Sequence, residues 1–239
     1  MRFMDTGIGR EDDPRDVDGF TRLGLRRPPL LTAGVAAVTA VVGVGGLMAA
    51  AVLEALQRTP AARDGQWWRW LTAMLVQDGG WAGTLSNLLF LVALRAAVEQ
   101  VVGRLPWVGA YLVAGLAGQV AGQFWQPVGA GNSVAVCGLA GVLAWRAADP
   151  DLPPWARPAA LFWLGALLAT WWPPLLLLGL AAGIAEPRLP HGARRLLLTA
   201  ATALVAVVLI AVANLHGAAL AAGLAVGAVV RPATRARGR

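Results

Sequence analysis

The sequence predicts an all-α protein that crosses a membrane several times. Of its residues, 57% are hydrophobic and only 14% are charged, whereas soluble domains are about half apolar and a quarter charged. Apolar runs of about 18 or more residues recur along the chain, and such runs are typical of transmembrane helices. The first of them is Leu30–Leu56. We therefore expect one helical bundle in a membrane.

The segment before this run is interpreted as a tail. Residues 1–28 carry many charges, and the run that follows is longer than the 7–15-residue apolar region of a signal peptide. We expect residues 1–28 to form a disordered cytoplasmic tail. Residues 29–231 would form the transmembrane domain, and residues 232–239 a basic cytoplasmic tail.

Apolar runs and charged loops define the further elements. The predicted helices are Leu30–Leu56, Leu85–Val102, Pro106–Trp125, Ser133–Ala147, Leu196–Ala213 and Leu215–Val230. Between the fourth and the fifth lies Pro158–Ala185, an apolar segment interrupted by "WWPP". Both flanking loops are basic, so both ends of the segment should lie on the same side of the membrane. Because it is short for two full crossings, a tight or re-entrant hairpin turning at Trp171–Pro174 is the favoured interpretation. The alternative is one tilted crossing, which would invert the last two helices.

The arginines predict the orientation in the membrane. The net charge is +7, and all 20 basic residues are arginines. In a soluble protein this charge would suggest nucleic acid, but in a multi-pass protein basic residues collect on the cytoplasmic side. With the N-terminus inside, only Arg58, Arg63 and Arg69 lie outside. We therefore expect both termini in the cytoplasm, a plasma-membrane location and no nucleic-acid partner.

Serine, asparagine and histidine are rare, and all of them except His191 fall at the starts of three helices. They are Ser86–Asn87, Asn132–Ser133 and Asn214–His216. These starts face outward at similar depth, and polar groups in a membrane usually face a bundle interior or a water-filled cavity. Converging there, they have the parts for nucleophilic catalysis, with Ser133 as nucleophile, His216 as base and Asn87 holding the oxyanion. The alternative is hydrogen bonding between helices without catalysis.

Short motifs in this order resemble the rhomboid intramembrane serine proteases, from about Trp68 to Gly223. The matching positions lie in "WWRWLT", "SNLLFLVALRAAVEQVVGR", helix 3, "GNSVAVCGLAG" and "HGAALAAG": Trp68, Arg69, Asn87, Glu99, Gly103, Tyr111, Gly115, Gly131, Ser133, Gly138, Gly141, His216 and Gly223. The resemblance implies a six-helix core, here with an extra hydrophobic hairpin before the last two helices. It also implies a Ser133–His216 dyad without an acidic third member, and a cavity open to the outer face. The implied activity is hydrolysis of peptide bonds in or near transmembrane segments of other proteins.

The chain departs from the family pattern at Gly83, Val134, Cys137 and Ala219. Gly83 replaces the histidine of the H-x-x-x-N motif, so one usual oxyanion donor is missing. Val134 replaces the second glycine of G-x-S-G, Cys137 stands where an aromatic often packs on the histidine, and Ala219 replaces a glycine. Val134 and Ala219 are expected between helices 4 and 6, where bulk would lengthen the Ser–His distance. These departures favour the alternative of a weak or inactive pseudoprotease that binds membrane helices.

Three polar residues near these positions are candidates to replace the lost donor or to assist. Gln77, or Asn132 beside the nucleophile, would donate to an oxyanion, and Asp78 would orient His216 or hydrate the cavity. The alternative for "QDGG" is a polar turn before a helix.

Other functional classes find little support. The sequence has no P-loop, dinucleotide fingerprint or metal cluster, and two separated histidines with one cysteine, Cys137, argue against a zinc protease. We therefore expect no cofactor and no metal. The lack of embedded charge and of an obvious inverted repeat argues against a transporter. The expected partners are transmembrane substrates and the lipid bilayer, with the oligomeric state open.

Overall fold

The computed structural model describes residues 22–25 and 28–230, which are helical and contain no β-strand. The α-helices of this part of the chain are α1 Leu30–Met48, α2 Ala50–Leu56, α3 Arg69–Thr72, α4 Gly80–Val102, α5 Arg104–Trp125, α6 Ser133–Trp145, α7 Ala156–Ala169, α8 Pro174–Ala185, α9 His191–Ala211 and α10 Leu215–Val229. Most of the predicted tails, 1–28 and 232–239, lies outside the described residues, so the domain boundaries stay predictions.

Six helices form the predicted core: α1, α4, α5, α6, α9 and α10. Helices α1, α4, α5 and α9 have 19, 23, 22 and 21 residues and are long and apolar enough to cross a membrane. Helices α6 and α10 are shorter, with 13 and 15 residues. In α6 every residue from Val134 to Ala144 is buried, and α6 packs against α4, α5, α9 and α10. It is therefore the central helix of the bundle.

The predicted first helix, Leu30–Leu56, is interrupted in the structure. Ala49 separates α1 from α2 with an extended backbone, φ −140° and ψ 108°. Gly45 and Gly46 lie just before the break, and glycines lower helix stability because they lose more backbone entropy than alanine. The expectation of one continuous helix is therefore wrong, and α2 leads the chain into the loop that precedes α3.

Helices α7 and α8 form the predicted hairpin. The chain turns at residues 170–173, and a methyl group on Gly165 would lie only 2.7 Å from the Cα of Gly179, so the two backbones are in close contact. Gly183 lies against Pro158 in the same antiparallel register. At 1.5 Å per residue each arm is about 20 Å long, which is less than the roughly 30 Å of membrane hydrocarbon. The alternative of one tilted crossing is wrong.

The hairpin is packed into the bundle. Helix α7 contacts both α4 and α9, and the ring of Phe90 in α4 lies 5.8 Å from that of Phe162 and 4.6 Å from that of Trp163. At its base, Glu186 bonds Arg157 at 2.6 Å and lies 3.9 Å from Arg194. The α7–α8 hairpin is thus held by aromatic contacts with α4 and by ion pairs at its open end.

Glycines bring α6 and α10 into backbone contact. A methyl group on Gly141 would lie 2.6 Å from the Leu220 carbonyl oxygen, and one on Gly223 would overlap the carbonyl of Gly138. Small residues allow such close approach in membrane bundles. This α6–α10 contact, defined by Gly138, Gly141 and Gly223, holds the two helices side by side.

Several motif residues hold the bundle together away from this contact. Arg69 donates to the carbonyls of Glu54 and Gln57 at 2.8 and 2.9 Å, which ties its loop to the end of α2. The neighbouring Trp68 is exposed. The carboxylate of Glu99 accepts hydrogen bonds from the backbone N–H and the hydroxyl of Thr32. This joins α4 to the start of α1.

The turn between α4 and α5 depends on a glycine, and a buried arginine lies close to this turn. Gly103 has φ +80°, a conformation that favours glycine. Arg95 is fully buried within α4. Its guanidinium carbon lies 4.7 Å from the ring centre of Trp107 and 3.7 Å from that of Tyr111. Aromatic faces therefore stabilise this buried cation.

Candidate active site

Ser133 and His216 meet at the N-terminal ends of α6 and α10. Ser133 is the first residue of α6, and His216 is the second residue of α10. The serine Oγ lies 2.9 Å from the histidine Nε2, which is within hydrogen-bond reach of a nucleophile and its base. The structure therefore brings together the pair that the sequence indicated.

Val134 and Ala219 do not separate the two helices, so that expectation is wrong. The Val134 side chain packs against Gly118 of α5, where any side chain would overlap its methyl group. A methyl group on Gly118 would also lie 3.0 Å from Ala219 Cβ. A glycine on a third helix thus accommodates the bulk, and the Ser133–His216 distance stays short. Cys137, which stands where an aromatic often packs on the histidine, is fully buried.

Asn214 orients the imidazole ring. Its side-chain oxygen accepts the backbone N–H of His216 at 3.0 Å and lies 2.8 Å from the ring Nδ1. The backbone donor requires an oxygen at this position, and an amide oxygen only accepts, so Nδ1 carries the ring proton. Nε2 is then free to accept the hydroxyl proton of Ser133.

Asn214, and not Asp78, is the residue that orients the His216 ring. Asp78 Oδ2 instead accepts the backbone N–H of Ala130 at 2.9 Å, and the residue is exposed. From the sequence, Asn214 belonged to the polar cluster but had no predicted role. The available signal was its position as the residue before a helix, where asparagine is favoured as a cap.

Gln77 and Asn87 form a linked pair beside the nucleophile. Asn87 Nδ2 donates to Gln77 Oε1 at 2.8 Å. Gln77 is only 1% exposed, and its Nε2 has no hydrogen-bond partner within residues 28–230. A methyl group on Gly131 (φ +142°) would lie 3.2 Å from Ser133 Oγ and 3.7 Å from Gln77 Oε1. The Gln77 amide and the Ser133 hydroxyl thus flank the same glycine.

Asn132 is a buried amide beside the nucleophile, and Gly83 lies where the family has a histidine. Asn132 is fully buried, and neither its oxygen nor its nitrogen has a partner in the described part of the chain. Buried unpaired amides are unfavourable and are few in native proteins. At Gly83, a methyl group would have no heavy atom within 4 Å. The position of the missing histidine is therefore open space.

The Ser133–His216 pair lines a cavity of about 250 Å³. Its lining includes Arg58, Asp78, Gln119, Ser133, Asn214 and His216. The cavity is polar on one side because the charged and amide groups come from the α2–α3 loop, the segment before α4, and α5. A half-buried serine–histidine pair beside such a cavity has the geometry for acyl transfer, with space for a carbonyl group and water.

Comparison with known proteins identifies one family. The family model described as "Rhomboid domain" matches residues 64–233. The matched region spans more than half of the chain and contains Ser133, His216, Asn87 and the α7–α8 hairpin. A search of curated proteins found no match.

Proposed function

Because the chain belongs to the rhomboid family, we propose that this integral membrane protein is an active intramembrane serine endopeptidase. It would hydrolyse peptide bonds in or near transmembrane segments of other membrane proteins. The observation that carries the proposal is the 2.9 Å contact between Ser133 Oγ and His216 Nε2. The enzyme would sit in the plasma membrane with both termini in the cytoplasm and its cavity open to the outer side, as the arginine distribution favours.

The dyad would work by acyl transfer. Ser133 Oγ attacks the substrate carbonyl while His216 Nε2 takes the hydroxyl proton. The same nitrogen then gives this proton to the leaving amine, and the peptide bond breaks. A water deprotonated by His216 next attacks the acyl-enzyme and releases Ser133. Asn214 keeps the ring aligned throughout, because it holds the proton on Nδ1.

Gln77 would supply the oxyanion donor that Gly83 lacks. Asn87 occupies the Gln77 oxygen, which leaves the Gln77 Nε2 hydrogens to donate. Asn87, Asn132 and the backbone N–H groups at the start of α6 are the further candidates. An amide held in place by a second amide needs little reorganisation as negative charge develops, and this preorganisation lowers the barrier.

Cleavage of a reporter tests the proposal. The reporter carries a helix-destabilised transmembrane segment and is incubated with the purified protein in vesicles. We expect cleavage that disappears in Ser133→Ala and in His216→Ala. The matched control is Ser86→Ala, because Ser86 is the other serine of the sequence and is exposed on α4. Cleavage that persists in Ser133→Ala would refute the proposal.

A pseudoprotease is the second candidate function. The open space at Gly83 favours it, because the position of a usual oxyanion donor is empty of side chain. This alternative predicts capture of membrane helices without cleavage, and capture that is equal in the wild type and in Ser133→Ala. Affinity purification of the reporter with both proteins distinguishes the two functions.

A further inference from the structure

Arg58 is a buried cation in the wall of the cavity that contains Ser133 and His216. It is 1% exposed, although an arginine in an outer loop would ordinarily lie in water. Its backbone pairs with Gly129 through two hydrogen bonds of 2.9 and 3.1 Å. A methyl group on Gly122 would lie 2.8 Å from its guanidinium carbon. Backbone pairing and a glycine on α5 therefore fix the charge in place, in contact with the segment that leads to Ser133.

The direct partners of this cation are neutral. The guanidinium donates to the Gln119 side-chain oxygen and to the Gln126 carbonyl. Its Nε has no partner among the described residues, and no carboxylate of residues 28–230 forms an ion pair with it. Arg157, by contrast, bonds Glu186 directly at 2.6 Å. Arg58 is thus a buried charge without a bound counter-ion.

Asp78 lines the same cavity as Arg58 but forms no ion pair with it. Burial holds the pKa of Arg58 below its ordinary value, and the attraction of Asp78 opposes this shift. Asp78 is exposed and is hydrogen-bonded to Ala130, so water screens its charge. A cation buried in a medium of low dielectric interacts strongly with any anion that enters the same cavity. The cavity is the side from which such an anion can approach.

We propose that Arg58 makes this site selective for substrates with an acidic residue beside the cleaved bond. The inference rests on the proposed protease function and adds a substrate class to it. An aspartate or glutamate side chain in the cavity would pair with the guanidinium, and a charge-assisted hydrogen bond is about twice as strong as a neutral one. The same carboxylate would offset the unfavourable burial of Arg58.

The test compares glutamate with glutamine in the substrate. Reporters that carry one glutamate at each of several positions on both sides of the cleaved bond are compared with isosteric glutamine versions. We expect one position at which kcat/KM is about tenfold higher for glutamate. The ratio should fall to about one in Arg58→Gln and largely persist in Arg58→Lys. It should rise in Asp78→Asn, because that change removes a competing anion.

Two further measurements separate the possible failures. Labelling of Ser133 by a fluorophosphonate shows whether Arg58→Gln retains the dyad. Binding of fluorescent glutamate and glutamine peptides measures the preference even without cleavage. Glutamate and glutamine substrates of equal rate at every position, or a preference that persists in Arg58→Gln, would overturn the inference. Absence of Ser133 labelling in the wild type would instead refute the protease function, and the peptide binding would still test Arg58.

Discussion

The α6–α10 contact and the α7–α8 hairpin use the same packing device for different ends. In both, glycines bring two helix backbones together: Gly138 against Gly223 in the first, and Gly165 against Gly179 in the second. The α6–α10 contact ends at a serine and a histidine beside a polar cavity. The groove between the hairpin and α9 is apolar. Close packing therefore sets how near two helices lie, and only polar residues at the helix ends allow chemistry between them.

The largest expected difference between the two regions is in cleavage by glycine variants. Gly223→Val would force α6 and α10 apart, because even a methyl group overlaps the Gly138 carbonyl. A shift of 1 Å in a reacting group costs about a hundredfold, and valine requires more, so we expect a loss on the order of a thousandfold.

Gly179→Val is the matched control. It should loosen the hairpin and lower the thermal midpoint, but it should reduce cleavage less than tenfold because Gly179 is remote from Ser133. Rates of reporter cleavage and melting curves in detergent measure both effects. Equal losses of cleavage in the two variants would show that the hairpin also positions the dyad.

A smaller effect is expected at the oxyanion donor. Gln77→Leu should lower kcat by about a hundredfold with little change in KM, because one oxyanion donor contributes at that level in the transition state. Gln123→Leu is a close control. Gln123 is also 1% exposed, its oxygen accepts from Trp70, and its Nε2 is unpartnered within the described chain.

The Gln123 change should leave kcat within about threefold of the wild type, since Gln123 bonds Trp70, whereas Gln77 lies beside the same glycine as Ser133. A kcat for Gln77→Leu that matches that of Gln123→Leu would remove Gln77 from the mechanism. The oxyanion would then be held by Asn87, Asn132 or the backbone alone.

The smallest expected effect is at Asn214. Asn214→Gly keeps the helix cap nearly as stable, since glycine costs only a few tenths of a kcal/mol at this position. It removes the acceptor of the Nδ1 proton, so kcat should fall about five- to tenfold, the equivalent of one hydrogen bond. Asn214→Asp retains an oxygen acceptor and should restore most of kcat. If glycine and aspartate behave alike, Asn214 serves only as a cap.

Local signals predicted much of the fold and the reacting pair. The proline pair at the hairpin tip and the basic loops on both sides of it indicated the turn at Trp171–Pro174. Ser133 and His216 were found because polar residues at helix starts are rare in this chain. Both features depend on a few neighbouring residues and on topology, which a sequence displays directly.

Other features depend on contacts between distant residues. The accommodation of Val134 depends on Gly118, which belongs to another helix and gives no signal near the nucleophile. The burial of Arg58 depends on its pairing with Gly129, which lies between α5 and α6. The role of Asn214 depends on the direction in which the His216 ring turns. These are tertiary distances, and the local pattern contains no information about them.

Labelling with a serine-directed probe tests whether Ser133 is a nucleophile activated by His216. The purified protein is treated with a fluorophosphonate, and the modified residue is located by mass spectrometry. We expect an adduct on Ser133 that is absent in Ser133→Ala, is strongly reduced in His216→Ala and is retained in Ser86→Ala. Labelling of the wild type no stronger than that of Ser133→Ala would contradict it, and the dyad would then be a geometric pair without nucleophilic activity.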